Sequence, residues 1–460
     1  MRTGRRRREK KTAEVAIERD AEVVRLFARA VRSDCFDLEA VEFALRTAVL
    51  QAGAKALENL VSGLGRGRRG EALICCGHRM ESDGVEEKTL LTILGEVRFA
   101  RSRYVCPVCA KARFPGDEEL DVVGTTRSPG VRRLTARMGS RETFKEGAED
   151  LRILAGISVS AKDVERTSEK MGREMEAWAA EERKVILARE PPLLPVKTIP
   201  VLYVMYDGTG VPMVPREVEG RRGKQEDGTS KTLEAKLGCV FTQTTTDDDG
   251  FPVRDEDSTS YVGAIEAADV FADRIEAEAI RRGLWNALLT VVLGDGAKWI
   301  WALAGERFPG ALQIVDKYHA REHVADLARL SAGGDEKAFI RLRTRWWMRL
   351  DSGEVEKIAR EARTLTPKEP AARKKAATEV GYLETNKERM RYNKFRERGL
   401  FVGSGVIEAG CRHVIGLRLK QSGMEWSVEG ANAIISLRCV TLSGRLEDYW
   451  EDRSAAKPGN

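Results

Sequence analysis

The sequence lacks any apolar run approaching the roughly 18 residues of a membrane-spanning helix, which argues against an integral helical membrane protein. It also lacks a signal-peptide core. The stretch TAEVAIERDAEVV behind the basic N-terminus carries too many charges, so a cytoplasmic protein with no membrane partner is expected. A disulfide framework is missing too. Of eight cysteines, four lie between Cys75 and Cys109, while Cys35, Cys239, Cys411 and Cys439 are scattered. In a cytoplasmic chain a cluster points to metal and singles point to core packing. Charge of one sign is absent from nearly the whole length. The first eleven residues, MRTGRRRREKK, hold seven Lys or Arg and one acid, and so account for the entire net charge of +6. A uniformly basic surface is thereby excluded. Polyanion binding, commonly of nucleic acid, is expected from this arm, with Arg5, Arg6, Arg7 and Arg8, and from local patches.

What remains is ordinary for a multidomain globular protein: 460 residues, 42% hydrophobic and 33% charged, enough for about two to four domains. Residues 1–70 read as a basic arm and a helical region, because 38–63 repeat apolar residues at helical spacing and end at glycine. GRGRRG at 65–70 matches the dinucleotide fingerprint G-x-G-x-x-G. It follows a helix and precedes a strand, the wrong context for a nucleotide site, so it is read as a flexible basic linker. Residues 71–126 read as a zinc-ribbon-like hairpin. EALICCGHRM and RYVCPVCAKARF bracket an alternating strand pair, and Cys106-Pro-Val-Cys109 is a zinc knuckle. The first half is irregular: any two of Cys75, Cys76 and His78 would complete a tetrahedral Zn²⁺ site with Cys106 and Cys109.

Residues 127–195 read as helical and helix-turn-helix-like. FKEGAEDLRILAGISVSAKDVERTSEKMG has two amphipathic helices joined by AGISVS, with Ser160 as N-cap, and a proline-rich break, REPPLLPVKTIP, closes the region. The pattern then turns to α/β over 196–332. VLYVMYDGTGVPMVP reads as strand, turn, strand, LGCVFTQ as a third strand, and YVGAIEAADVFADRIEAEAIRRGL as a helix. Next come a fourth strand, LLTVVLG, the helix WIWALAGERF, the strand ALQIVD and the helix HAREHVADLARL. Three strands, a helix, then alternating strand and helix is the order of a ribonuclease-H-like core. Residues 333–394 form a helical insertion, 395–445 complete the core, and 446–460 are a tail.

The chemistry-bearing residues are acids. Asp207 in MYDGTG and Asp295 in LGDGAK each stand at a strand exit beside glycine, on strands that lie side by side in that topology. Converging carboxylates repel, and each must take a proton or hold a cation. Mg²⁺ is the hard, oxygen-seeking choice, with Mn²⁺ as its substitute. Glu408 in GSGVIEAGCRH supplies a third ligand from the first turn of a helix. Three carboxylates can hold two ions for phosphoryl transfer without a covalent intermediate. Asp316 in IVDKYHAREHV also ends a strand, with His319 and His323 on the helix behind it. A zinc site from these three is the lesser reading, and Asp316 with His319 bordering the acids is the better one. In FIRLRTRWWMRL, arginines including Arg345 flank Trp346 and Trp347, which suits an unpaired base or an amphipathic helix burying its tryptophans. Arg418 and Lys420, beyond Glu408, are candidates for phosphate contact.

VLYVMYDGTGVPMV, KLGCVFTQ, VVLGDGAKWIW, IVDKYHAREHV and GSGVIEAGCRHVIGLRLKQSGMEWS together resemble the ISKra-four family of bacterial insertion-sequence transposases, DDE enzymes similar to the Mutator-like group. The likeness runs from about residue 71 to 445. It implies Asp207, Asp295 and Glu408 as the catalytic triad, with Asp316 and His319 as the Asp-x-x-His feature beside it. It further implies Mg²⁺-dependent hydrolysis at transposon ends, then attack of the freed 3′-hydroxyl on target DNA. The partners would be terminal inverted repeats and target DNA, bound by a homodimer or larger assembly. The irregular CCGH departs from the two Cys-x-x-Cys knuckles expected of members. Two rivals remain: a non-catalytic DNA-binding derivative, and a metal-dependent nuclease without strand transfer.

Overall fold

The computed structural model describes residues 37–63, 73–192, 197–223, 228–365 and 367–455. The arginine arm, including Arg5, Arg6, Arg7 and Arg8, and the GRGRRG segment lie outside the described residues. Contacts divide the chain into two compact units, 1–168 with 450–460, and 169–449. Among the described residues no helix is long and apolar enough to cross a membrane.

In the first unit, α1 (Leu38–Gly63) precedes a hairpin of β1 (Glu81–Thr92) and β2 (Gly95–Val105), to which the short β3 (Ala112–Arg113) adds. The alternation of apolar and polar residues sets the register: Lys88, Leu90 and Thr92 face inward on β1, and Val97 and Phe99 on β2. Lys88 is buried because Asp117 and the Val122 carbonyl take its ammonium at 2.8 and 2.6 Å. Three helices follow: α2 (Pro129–Arg141), α3 (Phe144–Ala155) and α4 (Ala161–Leu187). Thr143 and Glu146 cap α3 reciprocally, and Gly156 ends it at φ 70°. Ser160 is indeed the cap of α4, accepting from Asp163 N–H at 3.1 Å while the Asp163 carboxylate reaches back. Val131, Leu151, Ile157 and Val164 join these helices in one core.

The second unit is built on a mixed five-stranded sheet. Its strands are β4 (Ile199–Pro212), β5 (Thr232–Gln243), β6 (Ser260–Ala264), β7 (Ala287–Gly294) and β8 (Leu312–Val315), in the order β6-β5-β4-β7-β8. The β4, β5 and β6 neighbours pair antiparallel, whereas β4 with β7 and β7 with β8 pair parallel. Leu202 to Tyr206 are all buried, as a central strand covered on both faces must be. Helices α5 (Ala268–Arg281) and α6 (Lys298–Arg307) cover one face around Phe271, Ile275 and Ile300. Behind β8 come α7 (Lys317–Ala332) and a run of further helices, α8 (Glu336–Asp351), α9 (Val355–Thr364), α10 (Pro370–Asn386) and α11 (Tyr392–Glu397). The chain then returns through α12 (Gly405–Gly410), a π-helical turn at Cys411–Gly416 and α13 (Val428–Leu442). Asn432 on α13 covers the edge strand, accepting from Ile265 N–H at 2.7 Å.

Two expectations change. DGTG does not turn: β4 runs unbroken to Pro212 because β5 pairs with it throughout. Residues 260–264 are strand and not the start of the helix, so the three leading strands are β4, β5 and β6. The division between the two units falls at 168, inside α4, whose remainder packs with the sheet unit through Arg274 to Glu176 and Arg445 to Glu182. Within that unit, Gly172 lies where α4 meets α13: a Cβ there would stand 2.0 Å from the Ala433 carbonyl oxygen. Gly172→Ala is therefore expected to destabilise the protein by about 1–3 kcal/mol, because backbone cannot yield as a side chain can. Thermal melting checks this, and an unchanged midpoint would mean that the helices separate freely.

Candidate active site

Two strands bring the first two acids together. In the parallel pairing Met205 of β4 lies opposite Leu293 of β7. Two residues on, the same register sets Asp207 against Asp295, since side chains two apart share a face. Only Asp295 leaves its strand; Asp207 stays within β4, just past the end of its parallel neighbour. The turn after Asp295 needs glycine, because Gly296 has φ 100° and a Cβ there would meet the Tyr382 hydroxyl at 2.5 Å. Asp295 Oδ1 accepts from Ala297 N–H at 2.8 Å, so this acid also shapes the entry to α6.

Glu408 joins them from the first turn of α12. All three acids line one cleft of about 310 Å³, together with Asp316, His319 and Ser404. Asp316 is the joint that brings α12 there. Only 1% exposed, it caps α7 with Oδ1, taking His319 N–H at 2.5 Å, while Oδ2 takes Ser404 N–H at 2.6 Å. Ser404 in turn donates its hydroxyl to Glu408. Asp316 thus uses both oxygens to hold helix ends, and its part is to aim Glu408. The π-helical turn directly follows, and there Cys411 directs its thiol at Asp207 Oδ2 across 3.7 Å. Single-turn π segments of this kind recur at functional sites.

The electrostatics follow from this crowding. Among the described residues no Lys or Arg forms an ion pair with Asp207, Asp295 or Glu408, although Lys420 binds Thr209 nearby. Burial pushes the Asp207 carboxyl above the usual carboxylate range, and the charges of Asp295 and Glu408 add to this against the Gly208 N–H. A folded acid with a raised pKa costs stability above that pKa, and the cost fades as pH falls toward the unfolded value near 4. Asp207→Asn is therefore expected to raise the melting temperature of metal-free protein at pH 7 and to give no gain near pH 3.5. A loss at pH 7 would show that the carboxylate is held by something other than repelling acids.

Other predicted contacts fare differently. Trp346 is fully buried and its indole N–H donates to Glu361 Oε2 at 3.0 Å, with Arg345 and Arg349 paired to the same carboxylate. Trp347 donates to the Arg321 carbonyl at 3.0 Å. Trp346 thus packs inward, which removes it as a base-stacking residue, since a ring closed off by its own core offers no face, while Arg341 and Arg345 stay exposed on the other side of the helix. Arg418 is likewise fully buried, stacked against Trp426, and so does not reach a phosphate; Lys420 is exposed beside the cleft. Residues to which sequence reading gave no role are Ser404 and Cys411, which stand inside GSGVIEAGCRH beside Glu408, and Tyr382 and Glu379, which stand in no telling motif.

In the first unit, the sulfurs of Cys75, Cys76, Cys106 and Cys109 lie within 4.8 Å of one another, a group able to hold a metal ion. Cys75 Sγ is 3.8 Å from Cys76 and 3.7 Å from Cys109. Those are close to the edge of an S₄ tetrahedron at a Zn–S bond of about 2.3 Å, ~3.8 Å. His78 is outside the group; its Nδ1 faces the Cys76 carbonyl at 2.8 Å. The two adjacent cysteines become usable because Cys76 adopts φ 51°, which turns consecutive side chains to one point.

Residues 276–453 match a family described as an uncharacterised protein family, UPF0236; this stretch includes Asp295, Asp316, His319 and Glu408 but not Asp207. The chain is also similar to a Streptococcus gallolyticus protein described as "UPF0236 protein in vanSb 3'region", at 23% identity over 384 residues, 81% of this chain and 76% of that one.

Proposed function

We propose that this protein is a DDE transposase, cleaving DNA at transposon ends and joining the freed 3′ ends to target DNA. The observation that carries the reading is the convergence of Asp207, Asp295 and Glu408 on one cleft without a cationic partner among the described residues. The strand order, with three antiparallel strands, a crossover helix and two parallel strands, supports a ribonuclease-H-like core with a helical insertion between β8 and Glu408. Hard carboxylate oxygens suit Mg²⁺ or Mn²⁺, and the mutual repulsion at Asp207 is what a cation would relieve. When bound, two such ions would supply activation of the attacking oxygen and stabilisation of the leaving one. The residues of the chain itself prepare the place: Asp316 and Ser404 hold Glu408, Gly296 turns Asp295 inward, and Lys420 offers a cation at the rim to a phosphate.

In the same reading the four cysteines hold a structural Zn²⁺, and the arginine arm and α2–α4 bind DNA as part of a dimer or larger assembly. The test is a labelled duplex carrying the inverted repeats that flank the gene, incubated with protein and Mg²⁺ or Mn²⁺. Joined products at new sites support a transposase. Cleavage without joining would leave a nuclease, and binding without cleavage a DNA-binding derivative.

A further inference from the structure

The insertion carries two side chains that the three acids do not explain. Glu379 and Tyr382, three residues apart on α10, share one face of that helix. Glu379 Oε2 meets His323 Nδ1 at 2.6 Å. The Tyr382 ring stacks on His323 with centroids 3.9 Å apart, and its hydroxyl donates to the Asp295 carbonyl at 3.0 Å. On its other side, His323 Nε2 is 3.1 Å from His319 Nε2, with the rings edge to face. His319 lines the acid cleft.

A hydrogen bond between two imidazole nitrogens needs one donor and one lone pair. With His323 neutral, Glu379 takes its Nδ1–H, which leaves His323 Nε2 with the lone pair. His319 must then donate its Nε2–H, and it keeps a lone pair on Nδ1. That nitrogen lies 3.6 Å from Glu322, another residue of the cleft wall.

We propose that Glu379 and His323 are positioning residues that fix His319 as its Nε2–H tautomer, so that Nδ1 accepts a hydrogen bond or proton from a hydroxyl or water in the cleft. If the proton transfers, the O–H bond breaks with its electron pair kept on oxygen, and an N–H bond forms at Nδ1. The imidazolium is then stabilised by Glu322 directly and by Glu379 through His323. The helical insertion is on this account part of the active site, gripping the Asp295 turn through Tyr382 and His319 through Glu379. The inference rests on reading the cleft as a nucleotidyl-transfer site.

Two readouts separate its failure from failure of that reading. The chain has four histidines, so ring ¹⁵N spectra of histidine-labelled full-length protein can be assigned by single substitutions. The wild type is expected to show His323 protonated at Nδ1 and His319 at Nε2, Glu379→Gln to keep this pattern, and Glu379→Ala to lose it. In the cleavage assay, Glu379→Ala is expected to lower kcat roughly ten- to a hundredfold with KM within about twofold. Glu379→Gln should recover most of the turnover, and Glu379→Ala should cost nothing further in a His319→Ala background. Mixed tautomers in the wild type, or equal losses from Glu379→Ala with and without His319, would overturn the proposal. If no DNA is cut under any condition, the transposase reading fails and the tautomer spectra still decide the positioning.

Discussion

Asp295→Asn is expected to reduce cleavage of end DNA by about a thousandfold or more while leaving the melting temperature unchanged or raised. In the proposed reaction, losing one of three carboxylate ligands would remove about 4 kcal/mol or more of transition-state stabilisation, which is three decades in rate. The fold should not notice. An asparagine oxygen can keep the bond from Ala297 N–H, Gly296 keeps its φ of 100°, and Tyr382 still reaches the residue's carbonyl. The substitution also takes away a negative charge that helps push the Asp207 carboxyl up, so the repulsion within the metal-free cleft falls. The measurement pairs single-turnover cleavage with a melting curve and a binding assay on the same duplex. Lost cleavage with intact binding and melting identifies a working carboxylate. Wild-type cleavage would reduce Asp295 to a turn residue, and a melting point lowered by several degrees would make its role structural.

Asp207 and Asp295 stand out in the sequence because each follows an apolar run and precedes glycine, a pattern that a simple turn also gives and that gains weight only because two of them recur at neighbouring strands. Their convergence follows from a register that puts Met205 beside Leu293. The turn assigned to DGTG shows the opposite case: glycine and aspartate favour a turn locally, but twelve consecutive pairings with β5 hold the segment extended. Residues 261–264 read as helix because a five-residue edge strand is too short to display its own period before the helical one begins. Tertiary partners decided what local pattern left open. Whether Trp346 stacks on a base or packs inward depends on Glu361, fifteen residues away on another helix. The grip of Asp316 on Ser404 spans 88 residues, and that of Glu379 on His323 spans 56. Neither separation leaves a periodic trace in a single sequence. The cysteine knuckle was half legible: Cys-x-x-Cys has its own signature, whereas the choice between Cys76 and His78 hung on one backbone angle.

That choice gives the second large effect. Cys109→Ser is expected to abolish binding of about one Zn²⁺ per chain, whereas His78→Ala should retain it, because the four sulfurs converge and the imidazole stands apart at the Cys76 carbonyl. Structural zinc is worth about 10–16 kcal/mol in small knuckles near pH 7, more than the local contacts there can replace. Those contacts are the short pairings of Ile74 with Arg79, Cys75 with His78, Tyr104 with Arg113 and Val105 with Ala112, the bonds of Cys106 N–H to Lys111 O and Ala110 N–H to Cys106 O at 3.0 Å, and that of Met80 N–H to Leu73 O at 2.8 Å. Chelation or Cys109→Ser should therefore speed amide exchange sharply over residues 73–80 and 106–113, the segments that carry the cysteines, and less in the β1–β2 hairpin, which has its own ladder and core. It should leave exchange in β4 and β7 slow, since their hydrogen bonds belong to a different core. Binding must also release protons. Without a metal, the Lys111 N–H and neighbouring sulfurs bring the Cys109 thiol down to about 7, while hydrogen bonding to Cys109 pushes Cys75 up to about 12. Zinc displaces the proton of Cys75 and of every other protonated ligand, so affinity should fall throughout as pH drops and more steeply below about 7, where Cys109 is protonated too. Metal analysis after dialysis across that range, with exchange measured on the same samples, tests both claims. Zinc lost in His78→Ala and kept in Cys109→Ser would reverse the ligand assignment, and no zinc in the wild type would leave four cysteines packed as small hydrophobes.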